Sequence, residues 1–198
     1  MQALPNQAVF LDRDGVVNLE KGYISSPEQL ELYPFTREAI TKLKEANWKI
    51  YIISNQAGVA RGIMTEEDLA LIHRRLLELI PIDNIYYCPH HPDGKAGLPY
   101  SIHCDCRKPE AGMILRAARE NHIDLSRSYL VGDRATDILA GKKAGLTTVL
   151  VLTGYGAAEL EQPVEPDYIF TNLGELADYL VSGTEINFHL KKRGINGV

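Results

Sequence analysis

The chain is poor in cysteine, with three in 198 residues, all of them between positions 88 and 106. An odd and clustered count excludes the disulfide framework of a small secreted domain and points to metal ligation in a reducing compartment. Long apolar runs are missing too, none approaching the roughly 20 residues that cross a bilayer. The opening residues Met1 to Gln7 have neither a basic region nor an apolar stretch, so no secretion signal is expected and the cytoplasm is the expected compartment. Positive charge is in deficit, because 21 Lys and Arg face 26 Asp and Glu for a net −5. That balance argues against nucleic acid or an anionic membrane as partner. A small phosphorylated ligand stays possible, since local cations can hold it whatever the net charge. Internal repeats and low-complexity tracts are absent. No long apolar surface stripe is left over, so a monomer is expected.

What is present suffices for one full domain with a buried core. Short β-branched, apolar runs alternate with amphipathic stretches. Strands are expected at 8–11, 49–54, 84–88, 128–132, 148–152 and near Tyr168. Helices are expected over 36–47, where Ala39, Ile40, Leu43 and Ala46 form one stripe, and after Thr65, an N-cap with Asp68 three residues on. In the second, Leu69, Ile72, Leu76, Leu77 and Ile80 are expected to face inward. Further helices are expected from Pro109 to about Asn121, over 136–144 and over 174–181. The alternation implies an α/β fold: a three-layer, Rossmann-like, doubly wound, mostly parallel sheet. A single domain should occupy residues 1–181, with a Cys- and His-rich loop at 88–106. Residues 182–198, basic at 191–193, read as a solvated extension. About 40 residues separate the first two reactive segments and a helix takes many of them, which leaves no room for a large cap domain.

In such a sheet, ligands bind beyond the carboxyl ends of the strands, and the reactive residues sit there. Asp12 and Asp14 end the first strand, Ser54 and Asn55 the second, Asp133 the fourth. Residues two apart on extended backbone face the same side, so Asp12 and Asp14 can share one cavity. Two close carboxylates resist ionising together, so one becomes an acid. A bound magnesium ion would favour ionised Asp12 as nucleophile and leave Asp14 to shuttle the proton. Gly132-Asp133-Arg134-Ala135-Thr136-Asp137 is a second acidic set. Alone it reads as a helix start with favourable acids; with the first set it makes a hard, oxygen-rich magnesium site. A separate set, Cys88-Pro89-His90 and Cys104-Asp105-Cys106, offers three thiolates and an imidazole. Those ligands fit a closed tetrahedral zinc site. His91 and His103 are also near, so spacing alone leaves the nitrogen ligand open. Arg107 and Lys108 follow Cys106 directly, so a metal-clipped loop would fix two cations.

The order D-R-D-G, S-N-Q, R-K-P, G-D-x-x-x-D resembles the haloacid dehalogenase superfamily of phosphatases over residues 8–181. The resemblance implies that Asp12 attacks phosphorus while Asp14 protonates the leaving alkoxide and then activates water. It implies magnesium on the Asp12 carboxylate, the Asp14 backbone carbonyl and the Asp133 carboxylate. Ser54 and Lys108 would hold the transferring phosphoryl group, and Asp137 would orient Lys108 or a metal-bound water. It also selects His90 as the zinc ligand beside Cys88, Cys104 and Cys106. The zinc loop, S-N-Q-A-G-V-A-R-G and Y-Y-C-P-H-H-P narrow the resemblance to the branch formed by heptose bisphosphate and histidinol phosphatases. The implied reaction is removal of the 7-phosphate of a heptose 1,7-bisphosphate, a small phosphorylated sugar, with histidinol phosphate as the alternative substrate. A non-catalytic, zinc-braced binding module is the third reading, and intact Asp12, Asp14, Lys108 and Asp133 weigh against it. On the same resemblance Glu20, Lys21, Gly22, Tyr23, Asn55, Gln56 and Ala57 would line the sugar site. Arg107 and Arg134 would contact substrate, and Arg61 is a weaker candidate.

Overall fold

The computed structural model describes residues 6–163 and 165–183, so residues 184–198 of the expected extension, with the basic 191–193, lie outside the described residues. Six strands, β1 Ala8–Leu11, β2 Lys49–Asn55, β3 Asn84–Cys88, β4 Tyr129–Gly132, β5 Thr147–Val151 and β6 Tyr168–Phe170, form one sheet ordered β3-β2-β1-β4-β5-β6. Every pairing is parallel. Strands buried on both faces are near-continuously apolar, as β1 and the middle of β2 are.

Alternation along β1 divides the core. Val9 and Leu11 pack with α1 (Thr36–Glu45) and α7 (Leu173–Ser182) through Ala39, Ile40, Leu43, Leu173, Leu176 and Ala177. Ala8 and Phe10 pack with α4 (Gly112–Asn121) and α5 (Ala135–Ala144) through Met113, Ile114, Ala117, Ala140 and Ala144. Helices therefore cover both faces, and the three-layer expectation holds. Two short helices, α2 (Ala57–Ala60) and α6 (Gly156–Glu159), follow β2 and β5, and α3 (Glu66–Leu79) precedes β3. Between β1 and β2 the chain makes a short turn at Pro27–Gln29 and then α1, with no separate cap domain among the described residues. Among the described residues, no helix is long and apolar enough to cross a membrane.

Thr65 caps α3 as its side chain predicts. Its Oγ1 accepts from Asp68 N at 3.1 Å while Asp68 Oδ2 accepts from Thr65 N at 2.9 Å. Leu69, Ile72, Leu76 and Ile80 are buried, but Leu77, expected inward, is 49% exposed. It lies about 100° round the helix from Leu76, past the edge of the buried stripe. The helix expected from Pro109 begins only at Gly112. Residues 105–112 turn back first, with Glu110 N donating to Arg107 O at 2.8 Å and Gly112 N to Asp105 O at 3.0 Å. A Cβ at Gly112 would stand 2.5 Å from Asp105 O, so glycine permits that approach.

Candidate active site

The chain runs outward from β1 to β3 and then crosses to β4, so the sheet reverses direction between β1 and β4. The crevice at that reversal is where open α/β sheets bind ligands. Asp12 leaves β1 with its N–H on Val131 O of β4 at 2.9 Å, and Asp133 leaves β4 alongside. A cavity of about 530 Å³ opens there, bordered by Asp12, Asp14, Lys108 and Asp137 among others.

Lys108 is the buried hub. Its Nζ lies 2.8 Å from Asp12 Oδ1, 2.7 Å from Asp137 Oδ1 and 2.8 Å from Ile53 O. Burial alone would discharge it, but Asp12 and Asp137 hold the ammonium above the usual lysine range. Burial pushes the Asp12 carboxyl up to about 7; Lys108 pulls against that, while Asp137 and Asp14 add to it. Asp133 is pushed up to about 8 by burial, then by Asp12 and Asp137. Ligand oxygens of Asp12, Asp133 and Asp137 all lie within 4.8 Å of one another. Asp133 Oδ2 accepts from Tyr155 N at 2.8 Å, whereas its buried Oδ1 has no partner. Three crowded carboxylates, one ammonium and a bare buried oxygen fit a hard divalent cation.

The two aspartates are held differently: with no metal bound, the Asp14 carboxyl lies below the usual range while that of Asp12 lies above. Burial works against this lowering and is outweighed by Arg13, Asn18 and Gln56. Arg13 Nη2 donates to Asp14 Oδ2 at 2.9 Å, Asn18 Nδ2 to Oδ1 at 2.9 Å and Gln56 Nε2 to Oδ2 at 3.0 Å. Arg13, 1% exposed, is the residue that sequence reasoning passed over. An arginine between two aspartates was its only signal in the sequence, and nothing in the spacing says that it is buried and folds back onto Asp14.

The other candidates divide. Glu20, Gly22, Tyr23, Asn55, Gln56, Ala57, Arg61, Arg107 and Arg134 border the cavity. Lys21 does not; its Nζ pairs with Glu31 at 2.7 Å and it faces a neighbouring depression, because a carboxylate across the loop competes for it. Ser54 is buried and outside the lining, its Oγ accepting from Gln56 Nε2 at 2.7 Å. Asn55 spends its amide on the backbone of residue 108, accepting from Lys108 N and donating to Lys108 O, each at 3.0 Å. Glu20 Oε1 accepts from Gly22 N. Arg61 sits over the Tyr23 ring at 5.9 Å. Also unforeseen were Gly15 and Gly154, at φ +86° and +57°, where a Cβ would stand 2.1 Å from Asp133 Oδ2. The backbone closes on that carboxylate because nothing larger than hydrogen is there.

The cysteine loop forms a second cluster. Cys106 Sγ lies 3.2 Å from both Cys88 Sγ and Cys104 Sγ, and the latter two are 3.5 Å apart. His90 Nδ1 completes the set, 3.4 Å from Cys106 and 3.7 Å from Cys88. His91 instead accepts from Asp93 N, and neither it nor His103 joins the cluster. These separations are too long for a disulfide, at about 2.05 Å. They approach the ~3.8 Å edge of a tetrahedron with metal–sulfur bonds of about 2.3 Å. Arg107 Nη1 donates to His90 O at 3.2 Å, which ties this loop to the cavity wall.

Comparison with known proteins places the chain. A HAD-hydrolase-like family model matches residues 105–176. The D-glycero-D-manno-heptose-1,7-bisphosphate 7-phosphatase of Thermosynechococcus vestitus is 39% identical over 189 residues, covering 89% of this chain and 96% of that protein. The Escherichia coli D-glycero-beta-D-manno-heptose-1,7-bisphosphate 7-phosphatase is 36% identical over 185 residues, covering 85% and 91%. Among solved structures, a D,D-heptose 1,7-bisphosphate phosphatase from B. bronchiseptica, complexed with magnesium and phosphate, superposes with a TM-score of 0.81 at 33% identity, covering 90% of this chain and 99% of that one. With its carboxylate cluster at the β1–β4 crevice and relatives matched over nearly its whole length, the chain belongs to the HAD-like heptose 1,7-bisphosphate 7-phosphatase family.

Proposed function

We propose that the protein is a magnesium-dependent phosphomonoester hydrolase that removes the 7-phosphate of D-glycero-D-manno-heptose 1,7-bisphosphate through an aspartyl-phosphate on Asp12. The observation that carries the chemistry is the buried Lys108 ammonium gripping Asp12 and Asp137 beside the unpartnered Asp133 Oδ1. Asp12, Asp133 and the Asp14 backbone carbonyl would hold magnesium, which when bound offsets charge on Asp12 and on the phosphoryl oxygens.

An Asp12 oxygen attacks phosphorus, and the bond from phosphorus to the sugar oxygen breaks. Asp14 would give its proton to the departing alkoxide; the negative charge that the substrate phosphate brings beside it raises its carboxyl from the low resting value, so that it can hold that proton. It then takes a proton from the water that cleaves the acyl phosphate, releasing phosphate and restoring Asp12. Splitting one hard displacement into two lowers each barrier. Lys108 would bind the equatorial oxygens, where fixed positive charge is most useful, and Ser54 would join it by exchanging its hydrogen bond from Gln56 for one to the phosphoryl group. Lys108 already points at Asp12, and Asn55 clamps its backbone from both sides, so little reorganisation is needed.

Cys88, His90, Cys104 and Cys106 would hold zinc in a closed site with no position left for substrate. Its role is to brace the segment from which Arg107 and Lys108 reach the cavity. The substrate reading is supported by the relatives and by a cavity whose wall carries Arg107 and Arg134 as well as Asp12.

A kinetic panel tests the reading. We expect kcat/KM for the heptose bisphosphate to exceed that for histidinol phosphate by at least about 100-fold, or about 2.7 kcal/mol. Equal or better turnover of histidinol phosphate would overturn the substrate and leave the chemistry standing.

A further inference from the structure

Tyr155 belongs to none of the acidic, basic or cysteine motifs, yet it touches the site in two ways. Its backbone N–H donates to Asp133 Oδ2 at 2.8 Å, and its ring lies 3.7 Å beneath the Arg134 guanidinium. We propose that Tyr155 is a positioning residue for substrate recognition, its ring face fixing the Arg134 guanidinium toward the part of the substrate remote from the reacting phosphate. This rests on the sugar-bisphosphate reading above.

Arg134 is exposed, and among the described residues its guanidinium has no ion pair or hydrogen bond. Only its backbone is held, with Arg134 N donating to Asp137 Oδ2 at 3.0 Å. A free arginine loses much rotamer freedom when it grips a ligand. Stacking on an aromatic face removes part of that cost beforehand and leaves the outer N–H groups free for a phosphate or hydroxyl oxygen.

Tyr155 is itself rigidly placed. Gly154 adopts φ +57° with no room for a Cβ beside Asp133 Oδ2, and a Cβ at Gly156 would stand 1.7 Å from Val151 O. Glu159 Oε2 of the following short helix accepts from Ala135 N at 3.0 Å, tying it to the start of α5. Ring, Arg134 and Asp133 thus form one unit. That unit sets the distance between the reacting centre and the remote anchor, and Arg134 and Tyr155 border the same cavity.

The test is a double-mutant cycle on the full chain, with kcat and KM measured for the heptose bisphosphate. Tyr155→Leu should raise KM about fivefold with a smaller change in kcat, and Tyr155→Phe, which keeps the face, should stay within about twofold of wild type. In an Arg134→Ala background, Tyr155→Leu should add no further KM effect. The proposal is overturned if Tyr155→Leu leaves KM unchanged, if Tyr155→Phe is as impaired as Tyr155→Leu, or if the loss persists undiminished without Arg134. Tyr155→Gln, which lacks a π face but suits an exposed site, reads the same cycle should Tyr155→Leu fail to fold. If the wild type does not favour the heptose bisphosphate, the substrate reading fails. The Tyr155–Arg134 coupling is then read on whichever sugar phosphate it turns over fastest.

Discussion

The carboxylate crevice and the cysteine loop both gather metal-binding side chains, but from opposite kinds of sequence neighbourhood. The crevice draws Asp12, Lys108, Asp133 and Asp137 from three distant stretches, brought together by adjacent parallel strands. The loop takes Cys88, His90, Cys104 and Cys106 from one stretch with no helix or strand between its first and last ligand. The oxygen-rich site is assembled at the ends of adjacent strands. The sulfur-rich loop starts from the core, with Cys88 fully buried there and Cys104 and Cys106 packed against it, and the zinc proposed for it would brace the polar stretch between them. Asn55 joins them: it ends β2 yet holds the backbone of Lys108, two residues beyond the last cysteine.

The comparison breaks most sharply at the nucleophile. Asp12→Asn keeps the shape and removes the attacking anion, so kcat should fall by about 10⁴ or more while zinc content and folding survive. Retention of more than a few per cent of wild-type rate under metal saturation would place the chemistry elsewhere. The converse change belongs to the loop. Cys104→Ser should abolish tight zinc binding and lower unfolding free energy by at least about 2 kcal/mol, measured by denaturant titration beside elemental analysis. Full stability in a protein lacking zinc would remove the bracing role.

A smaller effect sharpens the same contrast through pH. Without metal, Asp12 is raised to about 7 and Asp133 to about 8, so near neutrality both are partly protonated. Both values exceed the ordinary carboxylate value. The folded protein therefore binds protons more tightly than the unfolded chain, and these groups cost stability as pH rises through their folded values. Magnesium displaces those protons, so its apparent affinity should strengthen between pH 6 and pH 8 by at least about tenfold, the effect of Asp12 alone, and by more as Asp133 also discharges. Calorimetric titration at the two pH values measures it, and a flat profile would mean that the carboxylates are already ionised.

Legibility followed the range of the interaction. The strands were readable because parallel strands buried on both faces carry continuous apolar runs, and the Thr65 cap because it is satisfied within four residues. The reactive ends of β1, β2 and β4 were readable since a strand that stops at Asp or Ser-Asn places those groups at the sheet edge. Leu77 was misread because one helical step separates the buried stripe from solvent, and only the packed neighbour fixes where the stripe ends. The position of Lys21 was not legible, because its partner Glu31 approaches through a loop whose path periodicity does not describe.

The sequence by itself determined the α/β layering, the order of the motifs, the set of residues able to bind metal and the local cap and turn chemistry. These depend on residue type and on spacings of a few residues. Tertiary structure alone decided that Arg13 is buried against Asp14, where with Asn18 and Gln56 it outweighs burial and keeps that carboxyl below the usual range. It gathered His90, which the resemblance implied, with the three cysteines and left His91 and His103 out, turned Asn55 onto Lys108, and set Tyr155 under Arg134. Each of those outcomes depends on which distant group arrives within about 3–4 Å in a desolvated crevice, where a single neighbour changes the energy of a charge far more than its own sequence context does.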